Sequence, residues 1–324
     1  MNKKFSRYLF LATFVLILIY IASEQLFKPR FGASDENPYN LNLDSFNTID
    51  SNLIAYKLLK KIKVPLQKPK GIAISASGYL YVSGDSAIVK LDFSGNIQQK
   101  IITSDIPYCL YIHSDNRIYA GIKNHVEVYD STGKQLLKWE PVNKDGFISS
   151  ISGKNNTIFV ADAVQALVYL FTNNGTFKGF IGSSDSLKGA MQIILPSYFF
   201  DVVAVSDSVV TFTNQGKHFI VNARINNTLL NYWGVTSPEI YGFSGCCNPS
   251  HIAIAPDGSV ITSEKGIVRV KRYKSDGTFK DVVAGSGSFV PDSKGLDLAV
   301  DKQGNVYVLE PYSRTIHVFQ PLNN

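Results

Sequence analysis

Cysteine is scarce in this chain. Three occur in 324 residues, Cys109, Cys246 and Cys247, and no two are spaced Cys-x-x-Cys, so a structural zinc site of the usual kind has no framework. A Gly-x-Ser-x-Gly elbow, a phosphate-cradling glycine loop and a His-Glu-x-x-His pair are also missing, which removes the commonest hydrolase, nucleotide and zinc-protease signatures. Positive charge is lacking where a nucleic acid would need it. The formal charge is +6, but five Lys and Arg against one Glu fall before residue 31, and beyond that point 27 basic residues face 25 acidic ones. A folded part this balanced, without clustered Lys or Arg, has no nucleic-acid footprint. Low-complexity tracts are absent too, and an apolar fraction of 45% with 18% charged residues is that of a folded globular chain.

What charge asymmetry there is sits at the start. Lys3, Lys4 and Arg7 precede an uncharged, mostly apolar run over residues 8–23 that Glu24 closes. The run is long for a signal-peptide core and slightly short for a spanning helix, which needs about 17–25 residues. Ile21-Ala22-Ser23 is a poor cleavage site. Residues 1–23 are therefore expected to form an uncleaved signal-anchor and single transmembrane helix, with a cleaved signal as the alternative. In both cases the basic flank stays cytoplasmic and the rest lies on the extracytoplasmic, periplasmic or extracellular, side. Residues 24–50 are rich in Asn, Asp and Ser with no sustained period and read as a polar tether.

From residue 51 to 324 one pattern recurs. Its clearest copy, Gly295 to Phe319, has an apolar run ending in Asp301-Lys302-Gln303-Gly304-Asn305, a β-branched run, a polar connection and a third alternating run. Short alternating strands separated by Asp, Gly and Asn turns describe an antiparallel meander. Copies begin at about residues 71, 110, 148, 199, 251 and 295, at intervals in the range of four-stranded propeller blades. The class is all-β, a six-bladed β-propeller. The sixth copy stops after three strands, and an open sheet edge would leave backbone groups unpaired. The run Ile54 to Val64 is the available fourth strand, expected to pair with 315–319 and clasp the ring; a helix over 58–62 is the alternative.

Pro69-Lys70-Gly71-Ile72-Ala73-Ile74 and Lys294-Gly295-Leu296-Asp297-Leu298-Ala299-Val300-Asp301, the latter followed by Gly-Asn-Val-Tyr-Val, resemble NHL-repeat propellers over residues 65–320. The stretch from Gly245 through Cys246-Cys247-Asn248-Pro249 to the Ser263-Glu264-Lys265-Gly266 loop further resembles a bacterial exported, membrane-anchored subset carrying a Cys-Cys-Asn-Pro turn. The resemblance implies a ring that binds partners or ligands on one face. Its members include binding modules and some metal-dependent lyases, so fold does not choose between them.

In such a ring the loops after each second strand converge on one end of the channel. Those positions hold Asp85, Asn124, Asp162, Asn214, Glu264 and Glu310. Their oxygens could coordinate a hard divalent cation, or cap the turns they occupy. No cofactor is required by the sequence. A gluconolactonase-like, metal-dependent hydrolase or lyase would draw on Glu264, Asn214 and Glu310. Adjacent Cys246 and Cys247 could close a strained disulfide ring, or hold a soft metal with His251. Cys109 reads as a buried, inert thiol, and His113 and His317 as satisfied strand residues. The ligand face is expected to comprise Cys246, Cys247, Asn248, His251, Glu264, Lys265 and Glu310. The functional expectation is a membrane-anchored binding module for a protein, peptide or glycan partner. The alternatives are the metal-dependent enzyme and a redox or metal-binding protein working through the paired cysteines.

Overall fold

The computed structural model describes residues 13–15, 43–182 and 192–322. The chain divides into residues 1–42 and residues 43–324. Of the first unit, residues 13–15 are helical; the remainder of the expected anchor 1–23, and the tether as far as residue 42, fall outside the described residues. Among the described residues no helix is long and apolar enough to cross a membrane.

The second unit consists of six four-stranded antiparallel sheets. Five are built from consecutive strands, spanning residues 69–102, 107–138, 148–181, 202–233 and 251–284. The sixth takes three strands from Asp297–Val300, Val306–Glu310 and Thr315–Pro321 and its fourth from Tyr56–Lys63 near the start of the unit. Lys61 lies opposite His317, Ile62 opposite Ile316 and Lys63 opposite Thr315, with a bulge between Leu58 and Lys60. Residues 58–62 are thus strand, and the ring is a six-bladed β-propeller closed by its own first strand. Ile54 bridges onward to Val282 of blade five, so the closing segment ties two blades.

Several blades share one reason for their geometry. A polar residue after the third strand folds a short turn: the Asp92 carboxylate accepts from the Ser94 and Asn96 backbone N–H groups, and Asp130 does the same for Thr132 and Lys134. The glycine of this turn has positive φ and lies flat beneath a large side chain from the outermost strand of the preceding blade. Trp139 covers Gly175 and Trp233 covers Gly277, where any Cβ would collide with the indole. The innermost and middle strands bury both faces, and buried apolar residues gather into six clusters that lie between neighbouring blades. The seam between blades four and five has the smallest apolar cluster, Ile220, Ile252 and Val260, beside an aromatic group of Trp233, Phe243 and Tyr273. A buried ionic group, Glu264 with Arg269 and Lys271, supplements it.

Candidate functional site at the channel and its mouth

The six innermost strands, Pro69–Ile74, Pro107–Ile112, Ile148–Lys154, Val202–Ala204, His251–Ile254 and Asp297–Val300, line a central cavity of about 250 Å³. Strand register assigns one equivalent residue per blade at the cavity's upper rim: Gly71, Cys109, Ser150, Asp201, His251 and Asp297. Half of this ring is small and uncharged; the other half is ionisable.

The ionisable half is held from the blades around it. Asp201 accepts at Oδ2 from the backbone N–H of Ile252 in the next blade (2.7 Å) and at Oδ1 from that of Val202 and the Ser150 hydroxyl of the preceding blade. Asp297 accepts at Oδ2 from the backbone N–H of Ile72, also 2.7 Å, and at Oδ1 from that of Leu298. His251 stands between them, its Nδ1 3.3 Å from Asp297 Oδ1 and 3.6 Å from Asp201 Oδ2. Burial pushes the Asp297 carboxyl up to about 6 against the pull of His251, with Asp201 adding repulsion. Burial also opposes charge on His251, but the two carboxylates outweigh it and leave the imidazole raised. The charge of each group therefore depends on that of the other. Among the described residues this is the one group of three His, Cys, Asp or Glu side chains whose ligand atoms lie within 4.8 Å of one another.

Above the ring the channel opens into a recess of about 300 Å³ that shares His251 with the cavity below. Aromatic rings form its wall. Tyr108 packs edge-on to Phe147, Phe147 lies 5.2 Å from Tyr198, and Phe199 sits edge-on to His251 at 5.6 Å. Lys70 and Lys294 reach the rim; the Lys70 ammonium lies 5.7 Å from the Tyr108 ring and that of Lys265 5.2 Å from Phe199. The mouth is therefore cationic and aromatic, and its floor carries the carboxylates.

The residues expected after each second strand have local partners. Asp85 accepts from the backbone N–H groups of Gln67 and Lys68, Asn124 donates to Lys144 O, Asp162 accepts from Phe147, Asn214 from Ile194 and Glu310 from Val290. Asp85, Asp162, Asn214 and Glu310 fasten the loop that enters their own blade, and Asn124 of blade two fastens the loop that enters blade three. Glu264 alone differs: its carboxylate is buried between Arg269 and Lys271. Asn248 takes over the fastening, bonding Lys265 through both its N–H and C=O and reaching Ser244 O. Glu310 is further bonded by Ser293, Ser313 and His317. Glu264, Asn214 and Glu310 are consequently engaged within three separate blades, and the donor set the structure assembles is a different one, to which only His251 of the expected site residues belongs.

Cys246 and Cys247 are free thiols with sulfurs 2.8 Å apart, Cys246 exposed and Cys247 buried. The bond to Cys247 raises Cys246. Burial disfavours the Cys247 thiolate, yet the proton offered by Cys246 and the Lys265 ammonium outweigh it and hold Cys247 below the usual thiol range. Lys265 thus links the thiol turn to Phe199 of the recess. Cys109 is buried on the ring, its thiol pushed well up by desolvation and by Asp297 and Asp201. Asp201 and Asp297 were not singled out as site residues from the sequence. The signal that exposes them is the column obtained by superposing the six repeats on their inner strands.

No known family profile matches the chain. Adipocyte plasma membrane-associated protein of Gallus gallus is 24% identical over 174 residues, 50% of this chain and 40% of that protein, so the chain spans well under half the length of this curated relative. Among solved structures, a streptogramin B lyase superposes with a TM-score of 0.59 at 16% identity, covering 82% of this chain and 98% of the lyase. Virginiamycin B lyase from Staphylococcus aureus gives 0.56 at 14%, covering 82% and 100%, and the WD40 propeller domain of Doa1 gives 0.56 at 13%, covering 78% of each. The likeness is one of fold.

Proposed function

We propose that this chain is a membrane-anchored, extracytoplasmic propeller of the NHL-repeat type that binds an acidic peptide or glycan segment at its channel mouth. The observation that carries the reading is the recess walled by Tyr108, Phe147, Tyr198 and Phe199 and rimmed by Lys70 and Lys294. Aromatic faces supply apolar contact at low entropic cost, and lysines at the rim select negative charge and speed its capture. Anchoring is supported by the apolar run 8–23 with its basic flank, and the curated relative bears a name that places it at a plasma membrane.

Calorimetry of full-length protein with uronic-acid oligosaccharides and Asp/Glu-rich peptides, against neutral oligosaccharides and neutral peptides of matched length, tests the reading. Saturable binding to one acidic class, weakened at least tenfold by Phe199→Ala and by a Lys70→Ala/Lys294→Ala double change, is expected. Binding that ignores these changes, or no preference for the acidic compounds, refutes it.

A further inference from the structure

Asp201, His251 and Asp297 occupy equivalent positions on three consecutive inner strands, so blade spacing itself aims an imidazole and two carboxylates at one point beside the channel axis. The separations within the group do not suit a hydrogen-bonded triad. A charge-assisted N–H···O bond is about 2.7–2.9 Å long, whereas Nδ1 of His251 lies 3.3 and 3.6 Å from the two carboxylate oxygens. Both contacts are longer than a charge-assisted bond, and the two carboxylates are the polar side-chain partners of this nearly buried imidazole. Donors placed about 2.0–2.1 Å from a tetrahedral ion stand about 3.3–3.4 Å apart, close to the two histidine–carboxylate separations, and all three ligand atoms lie within 4.8 Å of one another.

The surroundings fit an ion as well. Each carboxylate is oriented by a backbone N–H of the following blade, Ile252 for Asp201 and Ile72 for Asp297, the kind of outer contact that fixes metal ligands. An sp² oxygen bonded in this way keeps a second lone pair. Two carboxylates and one neutral imidazole sum to −2, so a divalent cation neutralises a group that is otherwise costly to bury. The facing half of the ring is Gly71, Cys109 and Ser150, without charge and in one place without a side chain, which leaves the other side of the point open to the cavity.

We infer that Asp201, His251 and Asp297 form a binding site for one divalent transition-metal ion, with zinc the best match to a nitrogen and two oxygens in near-tetrahedral spacing and with the remaining coordination facing the channel. The inference does not depend on what the mouth binds.

Zinc alone, titrated by calorimetry into chelator-stripped full-length protein, is the direct probe. One equivalent binding at micromolar concentration or tighter is expected, weakened at least tenfold in His251→Ala and in Asp297→Asn, and unchanged in a Cys246→Ser/Cys247→Ser double variant. Calcium binds at least tenfold more weakly. Circular dichroism and melting establish that each variant is folded. Should His251→Ala fail to fold, the cobalt-substituted wild type decides, since an oxygen and nitrogen donor set gives ligand-field bands without the thiolate-to-cobalt charge-transfer absorption. The inference is overturned by folded wild type that takes up no zinc, by uptake that survives both ring variants, by uptake lost in the cysteine variant, or by a thiolate band.

Discussion

The closing strand offers the most direct test of how the ring is held, through Ile62→Ala compared with Leu59→Ala. Both residues lie on Tyr56–Lys63, but Ile62 is 3% exposed and Leu59 is 51% exposed. Ile62 sits opposite Ile316 in the last strand and packs with Leu309, Val318, Leu80 and Leu91 across the seam between blades six and one. It also covers Gly95 of blade one, where a Cβ would lie 2.8 Å from its side chain. Truncation to alanine removes three carbons, a transfer loss of about 2.4 kcal/mol at about 0.8 per methylene. The void left in a packed seam raises the cost to about 3.5 kcal/mol, within the usual range for such a change. At about 2–4 °C per kcal/mol for a domain of this size class, the melting temperature falls by roughly 7–14 °C. Leu59→Ala has no seam to open and should cost under about 1 kcal/mol. Urea unfolding of both full-length variants reads the difference. If they fall within 1 kcal/mol of each other, the strand does not bolt the ring in solution and the reasoning about closure fails.

Three further outcomes follow from named contacts. Asp201→Ala strands the Ile252 and Val202 N–H groups, which calls for a loss of roughly 2–4 kcal/mol in chemical unfolding, while Asp201→Asn, keeping one acceptor oxygen, loses less than half as much; equal losses contradict the bridging role. Burial beside Arg269, partly offset by Glu264, lowers Lys271 to about 8. A lysine depressed on folding makes the unfolded chain bind more protons above pH 8, so stability should rise with pH through that window, by about 2 kcal/mol between pH 8 and 9.5. Unfolding curves across this range lose that slope in Lys271→Met, and an unchanged slope rules the assignment out. Iodoacetamide followed by mass spectrometry should label exposed Cys246 readily in native protein, buried Cys247 more slowly despite its lowered thiol, and Cys109 only after unfolding. Lys265→Met should move the alkylation pH profile of Cys247 upward, and an unmoved profile removes Lys265 as the group that stabilises the thiolate.

The ring was legible because its cause is local. Alternating runs broken by turns such as Asp92-Phe93-Ser94-Gly95-Asn96 specify hairpins from neighbouring residues alone. Three strands in the last repeat point to the apolar run upstream as the strand that pairs with the open edge, which the register of Tyr56–Lys63 against Thr315–Pro321 bears out over a helix. The site was much less legible. Glu264 and Glu310 resemble ligands by residue type, but whether a carboxylate is free depends on partners that spacing does not reveal. Arg269 and Lys271 follow Glu264 by five and seven residues and fold back onto it, whereas the partners of Glu310 come from a loop twenty residues earlier and from the last strand. Asn248, by contrast, came into view with its turn, and its work is structural: it ties residues 244 and 265 together beside the mouth.

Asp201 and Asp297 escaped for a different reason. Asp201 belongs to no local motif, Asp297 stands in the repeat run 294–301 without a distinguishing neighbour, and each stands at the start of an ordinary apolar strand. Their meaning is comparative, because a position in a closed ring faces its five counterparts across the axis rather than its sequence neighbours. Reading the column Gly71, Cys109, Ser150, Asp201, His251 and Asp297 in order shows that charge is confined to blades four, five and six. The same sector supplies Phe199, Lys265 and Lys294 around the mouth, and Phe199 touches both His251 and Lys265. An idealised ring of identical repeats would place the same residue six times about the axis, so this one-sided distribution is not a requirement of closure. A ligand entering the recess meets cations first and carboxylates at depth on one side only, and that asymmetry gives the channel a preferred orientation for whatever it holds.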